Sequence, residues 1–228
     1  MVAHLLRTVV LTAAAGTAFT GLAPAAASDT GVQVFPGMEI RQGSTVCTLG
    51  FIDPVARIGY SAGHCRGNGT VTDRDGRPVG VVVVARDNTP NGAVVRTDEV
   101  ITDYETIALA KDVTVNPVLP GGRPLRVDPA AQLVAGQQIC HFGVATGESC
   151  GSVERVNNGW FTMTNGVVSQ RGDSGGPVYT LAADGSAVLA GLFNSTWGQL
   201  PAAVSWQATG QQVRADAGAA VVDVAAAP

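Results

Sequence analysis

The residues best suited to chemistry lie together in Gly172-Asp173-Ser174-Gly175-Gly176-Pro177. A serine nucleophile in acyl transfer needs an exposed hydroxyl beside backbone N–H groups aimed at a developing oxyanion. Glycines beside Ser174 permit a sharp bend and a close approach by substrate. A plain Gly/Ser/Asp turn between strands has a similar composition. The nucleophilic reading therefore demands a base, and a carboxylate to orient it, elsewhere in the chain.

The chain has three histidines, His4, His64 and His141. His64 lies in Ser61-Ala62-Gly63-His64-Cys65, directly after a strand-like run. Asp103 opens Asp103-Tyr104-Glu105-Thr106-Ile107-Ala108-Leu109, and Asp98, Glu99 and Asp112 are its competitors for the carboxylate role. The six residues around Ser174 resemble the nucleophile loop of the chymotrypsin-like serine proteases. The His64 element resembles the same family's Ala-Ala-His-Cys or Thr-Ala-Gly-His-Cys. The Asp103 stretch resembles its aspartate followed by an apolar strand, although Glu105 and Thr106 depart from the usual small and apolar residues.

Separations of 39 residues from His64 to Asp103 and 71 from Asp103 to Ser174 fit the compact bacterial branch of that family. Cys140-His141-Phe142-Gly143-Val144-Ala145-Thr146-Gly147-Glu148-Ser149-Cys150-Gly151 resembles an element of the streptogrisins and α-lytic protease. The likeness runs over about residues 32–206. It implies two six-stranded antiparallel β-barrels, with the active site in the cleft between them. It implies disulfides Cys47–Cys65 and Cys140–Cys150. It implies a triad of His64, Asp103 and Ser174, with the N–H groups of Gly172 and Ser174 as the oxyanion hole.

The resemblance also exposes departures. In the family a cation neutralises the aspartate before the nucleophile, and the bacterial branch usually supplies an arginine where this chain has His141. His141 is therefore the expected partner of Asp173, with Arg171 as the alternative. By the same analogy Val168 lies at the base of the specificity pocket, the strand Gly191-Leu192-Phe193-Asn194-Ser195-Thr196 lies along its wall, and Arg171 is a further substrate-binding candidate. Val168 is uncharged and Thr196 narrows the pocket, so small or medium uncharged side chains are the expected preference. Asn194 stands where a serine often supports the triad aspartate. No cysteine follows Cys150, so a disulfide common beside this pocket is missing.

The elements that must position these residues read as strands. Val46-Cys47-Thr48-Leu49-Gly50-Phe51 and Ile58-Gly59-Tyr60-Ser61-Ala62 are strand-like, and Asn68-Gly69 and Asp75-Gly76 are hairpin dipeptides. Residues 79–84 suit a strand buried on both faces. Val94-Val95 and residues 107–109 continue the β pattern. So do Leu133-Val134, Gln138-Ile139, 160–164, Val178-Tyr179 and 188–193. The reading is all-β, with residues 28–112 as a first barrel, 113–124 as a Pro/Gly-rich connector and 125–206 as a second barrel. Residues 207–228 form a C-terminal helix and tail, the helical pattern running over about 206–220.

The chain has 228 residues, 46% of them hydrophobic, enough for a substantial core. Residues 1–27 stand apart, with a weakly basic start at His4 and Arg7, an apolar run, and Ala25-Ala26-Ala27 as a signal-peptide cleavage pattern. That run is too short and too rich in small residues for an anchor. Its removal leaves 13 basic and 18 acidic residues. No basic stripe invites nucleic acid, and no later segment invites a membrane. Four cysteines suit an exported chain, and their spacing fits no zinc site. Asp73-Arg74-Asp75-Gly76 lacks the later acid of an EF-hand. The expectation is a secreted monomeric endopeptidase acting on peptides or proteins, without metal or cofactor. The alternative is a catalytically silent binding protein on the same fold. An α/β-hydrolase is excluded, because that would need Gly-x-Ser-x-Gly and the serine before the histidine.

Overall fold

The computed structural model describes residues 31–90 and 95–225. The expected signal segment, His4 and Val94 lie outside the described residues.

Short β-branched runs broken by turn residues make short strands. The first lobe contains β1 (Gln33–Val34), β2 (Glu39–Gln42), β3 (Thr45–Thr48) and β4 (Phe51–Asp53). It continues with β5 (Ile58–Ser61), β6 (Thr70–Thr72), β7 (Pro78–Asp87) and β8 (Asp103–Leu109). In the linking segment, β9 (Thr114–Val115) pairs in parallel with β1. The second lobe contains β10 (Leu125–Arg126), β11 (Gln138–Gly143), β12 (Gly147–Val156) and β13 (Trp160–Thr164). It ends with β14 (Pro177–Leu181), β15 (Ala187–Trp197) and β16 (Leu200–Ser205), followed by α1 (Trp206–Ala225).

The second-lobe sheet runs β10-β15-β14-β11-β12-β13-β16, and β16 also pairs with β15. That pairing closes a six-stranded barrel, with β10 added outside the ring. The first-lobe sheet runs β3-β2-β6-β7-β8-β5-β4, and its ends do not pair. It is the first of the two expected barrels, curled into a half-barrel. Its two edge strands are consecutive in the chain and separated by Leu49 and Gly50, whose N–H groups donate to the Met38 and Tyr60 carbonyls of the same lobe at 2.9 and 2.8 Å. Just before them the Thr48 N–H donates across to the Ser174 carbonyl at 2.8 Å.

Three local readings also change. Residues 79–84 are not buried on both faces, because Val81 and Val83 are 53% and 61% exposed. Strand β7 shows one face to the core and one to solvent, the usual alternation of an antiparallel sheet. Leu133 and Val134 lie in a loop, where Leu133 packs on the second-lobe core. Asp75-Gly76 does turn β6 into β7, whereas Asn68-Gly69 makes a bend before β6.

The first lobe buries Ile40, Leu49, Ile52, Val71 and Ile107 in one core. The second buries Ile139, Phe161, Met163, Val178 and Phe193. A further cluster joins Ile101 and Tyr104 to Trp160, Leu192 and Val204, so the lobes share an apolar seam. Helix α1 is capped by the Ser205 hydroxyl, which accepts from the Ala208 N–H at 3.1 Å. Its Trp206 ring packs edge-on against Phe51 and Tyr60, with centroids 5.0 Å away in each case. Asp216 accepts from Arg86 and from the Tyr104 hydroxyl, tying the helix back to the first lobe. Disulfides Cys47–Cys65 and Cys140–Cys150 are both formed.

The seam is tight at Gly50. A Cβ there would lie 2.2 Å from the Gly175 carbonyl oxygen and 2.4 Å from a Leu192 methyl. Gly43 has positive φ but nothing within 4 Å of its Cβ position. Gly43→Ala should therefore cost only the backbone term, about 1–2 kcal/mol. Gly50→Ala should cost more, because backbone of the other lobe must move. Urea melts of the two variants give the comparison.

Candidate active site

His64 sits in a single 3-10 turn, Gly63–Cys65, between β5 and the Cys47–Cys65 disulfide. The turn needs glycine at 63, where a Cβ would lie 1.9 Å from the Arg86 carbonyl oxygen. Asp103 begins β8 and is 1% exposed. Its Oδ1 accepts the His64 backbone N–H at 2.8 Å, and its Oδ2 lies 2.8 Å from His64 Nδ1. One carboxylate thus holds both the turn and the ring. A proton on Nδ1 serves this bond and leaves Nε2 as the acceptor. Burial opposes charge on the ring. The hydrogen bond and charge of Asp103, helped by Asp87, outweigh it and raise the His64 pKa above 6.5.

Asn194 backs this pair. Its Nδ2 donates to Asp103 Oδ2 at 2.6 Å and to Thr89 Oγ1 at 2.9 Å. Its Oδ1 accepts from the Ser195 hydroxyl at 2.7 Å. Asn194 is fully buried, so its side chain belongs behind Asp103 and not on the pocket wall. The Ser174 hydroxyl donates to the Asn194 carbonyl at 3.3 Å. In this resting arrangement it is not bonded to His64.

The loop around Ser174 is fixed plane by plane. A trans peptide points its N–H and C=O in opposite directions. The Asp173 carbonyl accepts from the Gly176 N–H at 3.0 Å, which turns the Ser174 N–H to the other side. Gly172 and Gly175 hold φ of 105° and 82°, values that other residues rarely adopt. Among the described residues, the N–H groups of Gly172 and Ser174 have no protein acceptor.

The expected pairing of Asp173 with His141 is not what the structure contains. Asp173 is fully buried and is caged by neutral donors. Its Oδ1 accepts from the N–H groups of Ala145 and Thr146 at 2.9 and 3.2 Å. Its Oδ2 accepts from the Gln170 N–H at 2.7 Å and the Thr146 hydroxyl at 2.9 Å. Arg171 is exposed and does not bond to it. Gly143 makes the cage possible, since a Cβ there would lie 2.1 Å from Asp173 Oδ1. His141 instead stacks on Phe193 with centroids 4.5 Å apart, and neither ring nitrogen has a hydrogen-bond partner among the described residues. Burial holds its pKa well below 6.5, against the field of Asp173, so the ring is neutral.

No protein-family model matches the chain. It is 58% identical over 198 residues to the "Uncharacterized protein Rv1815" of Mycobacterium tuberculosis, covering 87% of this chain and 90% of that protein. The chain belongs to the family of this mycobacterial protein. Solved structures give the fold. A glutamic acid specific serine protease, described as using a histidine triad in substrate binding, aligns with TM-score 0.58 and 21% identity. That alignment covers 80% of this chain and 98% of the protease. Cellulomonas bogoriensis chymotrypsin aligns with TM-score 0.56 and 20% identity over 81% and 96% of the two chains. The chain has the chymotrypsin-like serine protease fold.

Within that fold the expected pocket residues lie on two neighbouring segments. Val168 is half exposed, and its N–H donates to the Ser149 hydroxyl at 3.1 Å. Ser169 and Thr196 share a hydroxyl contact of 3.2 Å that joins the Val168 segment to β15. Gln42, Thr48, Thr89 and Thr146 were not legible as site residues, because each acts through a contact distant in sequence.

Glu105 was legible only as a departure. It is fully buried two residues from Asp103, on the same face of β8. Its Oε1 accepts from Gln42 Nε2 at 2.5 Å, and its Oε2 has no partner. Burial pushes its pKa up to about 8; the Gln42 bond opposes this and the Asp103 charge adds to it. The folded value lies above the unfolded one. Stability from the neutral carboxyl is thus complete below pH 4.5 and is lost as pH rises to about 8. Glu105→Gln keeps an acceptor for Gln42 and cannot ionise. Wild type should lose a few kcal/mol relative to this variant between pH 4.5 and 8, measured by denaturant melts.

Proposed function

We propose that the chain is a secreted serine endopeptidase with Ser174 as nucleophile, His64 as general base and Asp103 as the orienting carboxylate. The observation that carries this reading is the buried Asp103 carboxylate, which grips both the backbone and the ring of His64. Attack requires the Ser174 hydroxyl to give its hydrogen to His64 Nε2 instead of the Asn194 carbonyl. His64 takes the proton as Oγ bonds to the substrate carbonyl carbon. The N–H groups of Gly172 and Ser174 receive the oxyanion. His64 then protonates the leaving amine, and water repeats the sequence to release the acid and restore Ser174.

The proposed substrates are peptides with small or medium uncharged side chains at the cleavage site, facing Val168, Ser195, Thr196 and the exposed Arg171. The uncharged Val168 and the Ser169–Thr196 contact support this preference. A histidine-based glutamate site has little material here. Of the three histidines, His64 serves Asp103, His141 is buried, and His4 lies in the expected signal segment. Two disulfides fit the oxidising surroundings of an exported protein. Among the described residues, no helix is long and apolar enough to cross a membrane.

The silent-binder reading draws on the resting bond from Ser174 to Asn194. A fluorophosphonate probe decides between the two. Wild type should label and Ser174→Ala should not; equal, background labelling of both folded proteins would leave the binding reading. In peptide hydrolysis, Asp103→Asn should lower kcat by about 10⁴. The acid limb of kcat/KM should fall above pH 6.5, because Asp103 raises the pKa of His64.

A further inference from the structure

Thr48 is a fully buried threonine at the last position of β3, in the lobe opposite Ser174. Each of its polar atoms is engaged. Its N–H donates to the Ser174 carbonyl at 2.8 Å. Its hydroxyl donates to the Gly172 carbonyl at 2.8 Å and accepts from the Val144 N–H at 3.0 Å. Its own carbonyl accepts from the Ser61 hydroxyl at 2.9 Å, next to the strand end that leads to His64. Three of these four bonds cross to the second lobe, and two end on the nucleophile loop.

The two carbonyls it holds flank Asp173. Together with the bond from Gly176 N–H to the Asp173 carbonyl, they fix three successive peptide planes from Gly172 to Gly175. The Thr48 hydroxyl also reaches Val144, whose neighbours Ala145 and Thr146 supply the cage around Asp173. One side chain thus touches the loop and the wall that holds the loop's carboxylate.

We infer that Thr48 is a positioning residue for the oxyanion hole, its hydroxyl transmitting the docking of the first lobe to the peptide planes around Ser174. The inference deepens the serine-protease reading and rests on it for its catalytic consequence. Its structural part stands on the hydrogen bonds alone. Valine is nearly isosteric with threonine and loses the hydroxyl, leaving the Gly172 carbonyl and the Val144 N–H without their partner. Serine restores the hydroxyl.

The test compares wild type, Thr48→Val and Thr48→Ser. In peptide hydrolysis, Thr48→Val should lower kcat roughly 10- to 100-fold with KM nearly unchanged, as a misplaced transition-state donor does. Thr48→Ser should recover most of that loss. Valine with wild-type kcat, or serine no better than valine, would overturn the inference. Amide hydrogen exchange by mass spectrometry supplies a readout that needs no turnover. Peptides covering Val144 and the Ser174 loop should exchange faster in Thr48→Val than in wild type and Thr48→Ser. Unchanged exchange there would also overturn it. If wild type fails to hydrolyse peptides or label while the exchange differences appear, the protease reading falls and the positioning of the loop by Thr48 stands.

Discussion

Everything in this molecule depends on two lobes meeting backbone to backbone. The first lobe carries His64 and Asp103, and the second carries Ser174. The contact is polar and close where the chain passes from Thr48 to Gly50. Thr48 bonds to the carbonyls of Gly172 and Ser174. Gly50 lies so near the Gly175 carbonyl that no side chain fits. Thr48 gives its N–H to the Ser174 loop, while Leu49 and Gly50 bond back to Met38 and Tyr60 of their own lobe. Apolar burial around Tyr104, Trp160 and Leu192 supplies the broader adhesion, and the hydrogen bonds supply the register.

Three buried carboxyl groups around this seam meet the cost of burial in three different ways. An ionised group out of water must find donors or a counter-charge, or keep its proton. Asp173 finds donors in the main chain that wraps it and in the Thr146 hydroxyl. Asp103 finds the ring and backbone of His64 and the amide of Asn194. Glu105 has one donor, from Gln42, and a charged neighbour in Asp103, so it stays protonated through neutral pH. His141 solves the same problem from the basic side by remaining neutral against Phe193. The neighbourhood of His64 therefore carries less negative charge than its composition suggests.

The local parts of the fold were legible in sequence because they rest on local physics. Strand runs such as Trp160 to Thr164 and the Asp75-Gly76 turn follow from aromatic and β-branched side chains and from glycine's access to positive φ. The resemblance supplied the cysteine partners and the two-lobed plan. Burial was harder to read. Residues 79–84 look like a strand sealed on both sides, yet only the layering of sheets decides which face meets solvent. Leu133 and Val134 have strand composition but no neighbouring strand to pair with. How each sheet curls depends on contacts between its strands in space, which periodicity does not encode.

The sequence by itself determined which groups could do chemistry. A serine set among glycines, a histidine beside a disulfide cysteine and an aspartate opening a strand are chemical identities that folding does not alter. Tertiary structure decided who partners whom. His141 stands where a cation was expected, and whether it meets Asp173 depends on how the chain from Gly143 to Thr146 curves. That curve brings main-chain N–H groups to the carboxylate first and leaves the imidazole to the core. Asn194, Thr48 and Gln42 gained their places the same way. Hydrogen bonds are short-ranged and directional, so a role that depends on one belongs to the fold and not to the residue type.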